Sequence, residues 1–327
     1  MKNILLLDTS VASQNKGDDI IMECVRKELQ FILKDNFEYT LPTHVSPFHW
    51  YQVMRNSIRV KSYDSCALKF IGGSNILCKN LLTHYPQWNI NWFNCKPLMG
   101  CVGVGVGAGA GERSNWYTRK MYKRVLSHDY YHSARDERTK LYIESLGLKA
   151  INTGCVTMWM LTPEFCSTIP KVKSGRVVFT LTADTKQDSK DQILIDTLVQ
   201  NYDEVFFWPQ GMSDLGYLHQ FENIGKVKIL SASKRAYDDF LTNNDTDYVG
   251  TRLHGGVYAM RHGRRSIIIA IDERAREINK SNNLVCIEKG ELNLLPQLIQ
   301  SEFETQINMD VEAINAWKSQ FINNRDE

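Results

Sequence analysis

Short apolar runs alternate with amphipathic stretches along nearly the whole chain, and this alternation constrains the fold more than any other feature. Apolar runs bounded by turn-forming residues read as buried strands; apolar residues three and four apart read as one face of a helix. In the first half the strand-like runs are Ile4–Leu7, Cys66–Ile71, Leu98–Val106, Asp129–His132 and Ala150–Asn152. Helical spacing covers Asp18–Lys34, Asn115–Leu126 and Asp136–Leu146. Thr162–Gly175 holds two prolines and little periodicity, so it reads as a linker. A second series then begins, with strands at Arg176–Leu181, Glu204–Trp208, Val227–Leu230, Tyr248–Val249 and Ser266–Ile271. Helical stretches at about 188–201, 213–223, 233–242, 253–262 and 273–280 separate them. Strands separated by helices pair in parallel. The expectation is an α/β protein of two Rossmann-like domains, residues 1–165 and 172–305. Residues 306–327 then carry a C-terminal helix, Val311–Phe321, packing back across the linker. A length of 327 residues suits two such cores. Ligands of parallel sheets bind outside the carboxyl ends of the strands, so two parallel sheets facing each other would make a central cleft the active site.

The formal net charge is only +2, too little to hold nucleic acid by charge alone. Arg119, Lys120, Lys123 and Arg124 form a local basic run that reads as the solvated face of a helix. The eight cysteines include no Cys-x-x-Cys pair and no Cys/His cluster with zinc spacing. They read as small reduced core residues, which places the protein in a reducing, cytoplasmic compartment. The N-terminal apolar run stops at Asp8, shorter than the core of a secretory signal. No apolar run approaches the roughly 20 residues of a membrane span. The expected protein is soluble, or at most peripheral to a membrane.

Five segments near strand ends carry glycine, polar side chains or both. Asn15-Lys16-Gly17-Asp18-Asp19 opens the first helix, either as an anion site at a helix start or with Asp18 as a simple cap. Ile71-Gly72-Gly73-Ser74-Asn75 ends a strand, where glycine admits a ligand to the backbone and Ser74 and Asn75 can bond it; an ordinary turn is the competing reading. His84 follows in a loop. Gly103 to Gly111, with glycine at every second position, resembles a dinucleotide loop only weakly, because it begins inside a strand-like run. Arg135, at the end of a short strand, has the planar fork that clamps carboxylates and phosphates. Most informative is Gly250-Thr251-Arg252-Leu253-His254-Gly255-Gly256, which delivers a fixed positive charge and a titratable imidazole to a helix start. The alternative is an acidic partner for Arg252 across the cleft and a capping role for His254.

Taken in order, Asn15-x-Gly17-Asp18, Gly72-Gly73-Ser74, Gly103-Val104-Gly105, Ser133-x-Arg135-Asp136, Arg252-Leu253-His254 and Arg264-Arg265-Ser266-Ile267-Ile268 resemble the polysaccharide pyruvyltransferases. The resemblance spans about residues 8–280 and implies a GT-B-like fold. It also implies phosphoenolpyruvate as donor, no metal and no further cofactor, and a cyclic ketal formed across two hydroxyls of one sugar. By motif, His254, Arg252 and Arg135 become catalytic and donor-site candidates, with His84 aligned more loosely. Asn15, Gly17, Asp18, Gly73, Ser74, Asn75 and Leu253 become substrate-binding candidates. The second domain would then hold the donor. The first would hold the sugar acceptor, whether nucleotide-, lipid- or oligosaccharide-linked, with Trp88 or Trp92 to stack on it. Ser74 stands where the family usually has a third glycine, and Arg264-Arg265 where proline is common. Both departures point to an altered acceptor or activity. Two other readings fit the same residues: a GT-B glycosyltransferase using a nucleotide sugar, and a non-catalytic carbohydrate-binding protein on the same fold.

Overall fold

The computed structural model describes residues 1–82, 86–109, 114–183, 187–271 and 273–322. It divides into two compact units: residues 1–13, 21–159 and 310–327 in the first, residues 14–20 and 160–309 in the second.

The first unit is built on strands β1 (Asn3–Asp8), β2 (Phe37–Pro42), β3 (Leu68–Gly72) and β4 (Cys101–Val104), paired in parallel in the order β2-β1-β3-β4. A parallel pair, β5 (His132–Ala134) and β6 (Ala150–Asn152), continues beside β4 through an isolated bridge between Val106 and Ala134. The four apolar residues Ile4–Leu7 are fully buried, as a strand covered on both faces requires. The switch in strand order falls between β1 and β3, above Asp8 and Gly72. The C-terminal helix Val311–Ile322 belongs to this unit, with Trp317 packed edge-on against Trp159 and Phe321 against Phe70.

The second unit holds β7 (Arg176–Thr180), β8 (Glu204–Phe207), β9 (Val227–Ile229), β10 (Asp247–Gly250), β11 (Ser266–Ala270) and β12 (Cys286–Glu288). All pair in parallel, in the order β12-β11-β10-β7-β8-β9. The chain winds one way from β7 to β9 and the other way from β10 to β12. This is the doubly wound arrangement whose crevice opens over the carboxyl ends of the two central strands. Those ends are Thr180 and Gly250.

The α/β reading with parallel sheets holds. Some boundaries move. The strand expected at Asp129–His132 lies at His132–Ala134, and the helix expected over Asp18–Lys34 breaks at Leu29 into Gly17–Glu28 and Gln30–Leu33. The linker contains a short helix, Pro163–Cys166, capped by Thr162. All eight cysteines are thiols, six of them buried, and burial pushes Cys101 up to about 12.

Candidate active site

The Arg252 turn stands at the switch point of the second sheet. A Cβ on Gly250 would lie 2.5 Å from Thr180 Oγ1, so the ends of β10 and β7 approach as only glycine permits. Beyond them a closed ring of hydrogen bonds fixes the turn. Arg252 N–H donates to Thr180 Oγ1 (3.2 Å), Thr180 Oγ1 pairs with the Tyr248 hydroxyl (2.6 Å), and that hydroxyl donates to the Arg252 carbonyl (2.7 Å). Every donor in the ring meets an acceptor, which is how buried polar groups rigidify a turn.

Asp214, fully buried, orients the Arg252 side chain. Arg252 Nε donates to Asp214 Oδ2 (3.1 Å) and to the Leu181 carbonyl (3.2 Å), and Nη2 donates to Asp214 Oδ1. The Gly211 amide (2.7 Å) and the Ala183 amide (3.2 Å) also donate to this carboxylate. The Nε/Nη2 edge of the guanidinium is therefore committed to Asp214, and its Nη1/Nη2 edge is the one suited to a further anion. The acidic partner lies in the same unit as Arg252, rather than across a cleft as the sequence suggested.

From this turn runs the helix Leu253–Arg261, with Arg252 as its N-cap. Its first intrahelical bond is Gly256 N–H to the Arg252 carbonyl (3.2 Å), so its opening amides and partial positive charge lie beside the guanidinium. His254 is in the first turn and 6% exposed. Leu253 is buried and can offer a ligand only its backbone. Gly256 has a packing reason: a Cβ there would lie 2.6 Å from the Tyr248 ring.

The N-terminal segment 14–20 belongs to the same unit. Asn15 and Gly211 form an antiparallel bridge, Lys16 N–H donates to the Gln210 carbonyl (2.8 Å), and Met212 N–H donates to the Gln14 carbonyl (2.9 Å). Asn15 Oδ1 accepts from the Gly17 amide (3.0 Å) and from Gln210 Nε2 (2.9 Å). Asn15 thus caps the first helix. Asp18, expected as the cap, lies inside the first turn, where its charge suits the helix dipole. A Cβ on Gly17 would lie 2.8 Å from Gln210 Nε2, so a larger residue there would displace the Gln210 amide. Gln210 is 2% exposed, and its Oε1 is buried with no hydrogen-bond partner among the described residues. That oxygen faces Gly255, where a Cβ would lie 2.9 Å away. Sequence reasoning missed both Gln210 and Asp214. The one available signal was Trp208-Pro209-Gln210-Gly211, a strand running into turn formers.

Asn15, Gly17 and Asp18 therefore belong to the same compact unit as Arg252 and His254. A second cluster occupies the switch point of the first unit. Gly73 is pressed against the Gly105 backbone, with a Cβ only 2.6 Å from its carbonyl carbon. Ser74 Oγ donates to Gln87 Oε1 (2.6 Å). Arg135, 4% exposed, lies over Gly107, donates from Nη2 to Asn75 Oδ1 (2.7 Å) and pairs through Nε with Asp136 (3.3 Å). Its fork is thus turned onto protein groups. His84 lies outside the described residues. Trp88 is 1% exposed and cannot stack on a sugar, whereas Trp92 is 46% exposed. Arg264 and Arg265 are structural: Arg264 donates to the Leu241 carbonyl, and Arg265, 1% exposed, pairs with Asp247 (3.0 Å) and reaches four main-chain carbonyls.

Comparison with solved structures gives a UDP-GlcNAc 2-epimerase from Methanocaldococcus jannaschii, in complex with UDP-GlcNAc and UDP, at a TM-score of 0.55 and 10% identity. That match covers 98% of this chain and 99% of the epimerase chain. The S. aureus MnaA–UDP structure follows at 0.53 and 10% identity, covering 100% and 98%. At such identity the likeness shows the fold, a GT-B-like α/β architecture. Comparison with curated protein sequences gives no match. The family model for polysaccharide pyruvyl transferase matches residues 15–273, 259 of the 327 residues, and the chain belongs to that family of transferases.

Proposed function

We propose that the protein transfers the enolpyruvyl carbons of phosphoenolpyruvate to two hydroxyls of one sugar, forming a pyruvate ketal and releasing phosphate. The observation that carries this reading is the Arg252 fork held by buried Asp214 at a helix start. A small dianion needs a fixed cation, oriented N–H donors and a nearby proton donor, and this turn supplies residues of each kind.

In this reading His254 protonates the methylene carbon, leaving an oxocarbenium-like centre at C2. A sugar hydroxyl attacks C2, phosphate departs, and a second hydroxyl closes the ring. Of the two protons the sugar loses, one replaces the proton that went to the methyl group and the other leaves with phosphate. Arg252 holds one anionic group of the donor. The opening amides of the Leu253–Arg261 helix supply backbone donors to the other. Gln210 Oε1, a buried acceptor beside the helix, is suited to a hydroxyl of the sugar rather than to the anionic donor.

The direct test is turnover. Phosphate release from phosphoenolpyruvate that depends on an added sugar diol, with a stoichiometric pyruvyl-sugar product by mass spectrometry, is the expected result. Hydrolysis or transfer from a nucleotide sugar, with indifference to phosphoenolpyruvate, would overturn it.

A further inference from the structure

Charge is distributed very unevenly along this chain. From Tyr39 to His128 there are eleven Lys or Arg residues and only two acids, Asp64 and Glu112, a surplus of nine in a chain whose total is +2. Such asymmetry marks a surface that meets a polyanion or an anionic layer.

The first unit displays part of this charge beside large exposed rings. Trp116 is 71% exposed, Phe93 64% and Trp50 60%. Lys120 Nζ lies 4.9 Å from the Trp116 ring centre and 5.2 Å from that of Trp92, and Arg124 lies 4.7 Å from Trp92. Lys123 is exposed on the same helix, Trp116–Val125. Next to Trp92, Phe93 lines an open cleft of about 490 Å³ together with Phe48, Trp50 and Asn91. The helix Ile58–Asp64 packs against the turn Lys96–Leu98, and its Ile58 is 82% exposed.

We infer that this face of the first unit is a docking surface for an anionic lipid bilayer. A nucleic acid would use the cations and stack bases on the rings, but would gain nothing from bare Ile58. A sugar would stack on a ring without needing the charge surplus. A bilayer interface uses all three: Trp at the headgroup boundary, Lys and Arg against anionic headgroups, and aliphatic groups below them. Among the described residues no helix is long and apolar enough to cross a membrane. This inference is independent of the reaction proposed above.

The test is co-sedimentation of the full chain with vesicles of phosphatidylcholine alone or mixed with phosphatidylglycerol. The expected result is pelleting with the anionic vesicles only, reversed by high salt. Each cation near an anionic surface changes affinity about fivefold, so the triple variant K120E/K123E/R124E should bind at least about 100-fold more weakly. R235E, on an exposed side chain of the second unit, should bind like the wild type. Quenching of wild-type tryptophan fluorescence by brominated lipid tests ring insertion without any variant. Equal binding to neutral vesicles, absence of binding, or a triple variant that binds unchanged would overturn the inference. So would capture of soluble RNA with no affinity for vesicles.

Discussion

Asp214 grips Arg252 side-on through both carboxylate oxygens, although 38 residues separate them, and Asp214 itself is fully buried. The pair fixes a cation at the switch point of the second sheet. Removing the acid leaves Arg252 without its orienting partner. Asp214→Ala should lower stability by about 3 kcal/mol and weaken phosphoenolpyruvate binding at least about tenfold. Asp214→Asn, which keeps the shape and one acceptor, should lose less stability but still lose affinity. Chemical denaturation and titration calorimetry on both variants separate the two effects.

Gly211 is the wall behind that pair. A methyl group there would collide with Arg252 Nη2 and come within 2.9 Å of the Asp214 carboxylate. Gly211→Ala should push the fork off its partner, costing about 1–3 kcal/mol as overpacking does, and weaken donor binding more than Gly216→Ala, which meets open space. Titration of the two variants side by side checks this.

His254 should matter for turnover rather than donor affinity. A proton donor contributes roughly 10²–10⁴ in rate, so His254→Ala should lower kcat in that range while the Kd for phosphoenolpyruvate changes little. A proportional rise in Kd with unchanged kcat would assign it to binding.

His132 gives the first unit a pH-dependent stability. Burial pushes its pKa down to about 4; its bond to the Ser127 carbonyl only partly offsets this. Nδ1 accepts from the Gly103 amide (3.0 Å) and Nε2 donates to the Ser127 carbonyl (3.0 Å), so the neutral ring is the one that fits. The unfolded chain takes up a proton near 6.5 that the folded chain refuses until about 4. Stability therefore falls as the pH drops through that window, by about 2 kcal/mol between pH 7 and 4.5. Denaturant unfolding of the wild type and His132→Gln at the two pH values should show a smaller drop in the variant.

Arg265 tests the other side of the account. Its bonds to Asp247 and to the carbonyls of Lys171, Leu298, Ile299 and Ser301 tie β10 and β11 to residue 171 and segment 298–301, on either side of the sheet in sequence. Arg265→Ala leaves Asp247 buried without its cation and should cost about 3–5 kcal/mol, with donor affinity retained well below the unfolding transition. The arginine that stands where proline is common thus has a packing role of its own.

Much of the fold was legible because central strands such as Ile4–Leu7 and Ser266–Ala270 are buried on both faces and read as unbroken apolar runs. The edge strands Phe37–Pro42 and Cys286–Glu288 were not, because one side faces solvent and their apolar signal is diluted. The Arg252-Leu253-His254 turn was legible from its glycines and its place after a strand. Its partners were not. Strand order brings β8 beside β7 and so sets the Gln210–Asp214 loop against Arg252, and no local pattern encodes that order. For the same reason the backbone pairing of Asn15 with Gly211 could not be read from the sequence.

The central claim is that Arg252 holds the donor. Calorimetric titration of phosphoenolpyruvate into the wild-type chain and the Arg252→Lys and Arg252→Ala variants tests it most directly. The account predicts saturable binding to the wild type and loss in both variants, since an ammonium cannot reproduce the fork that Asp214 orients. Binding to Arg252→Ala as tight as to the wild type, with the variant folded, would contradict it.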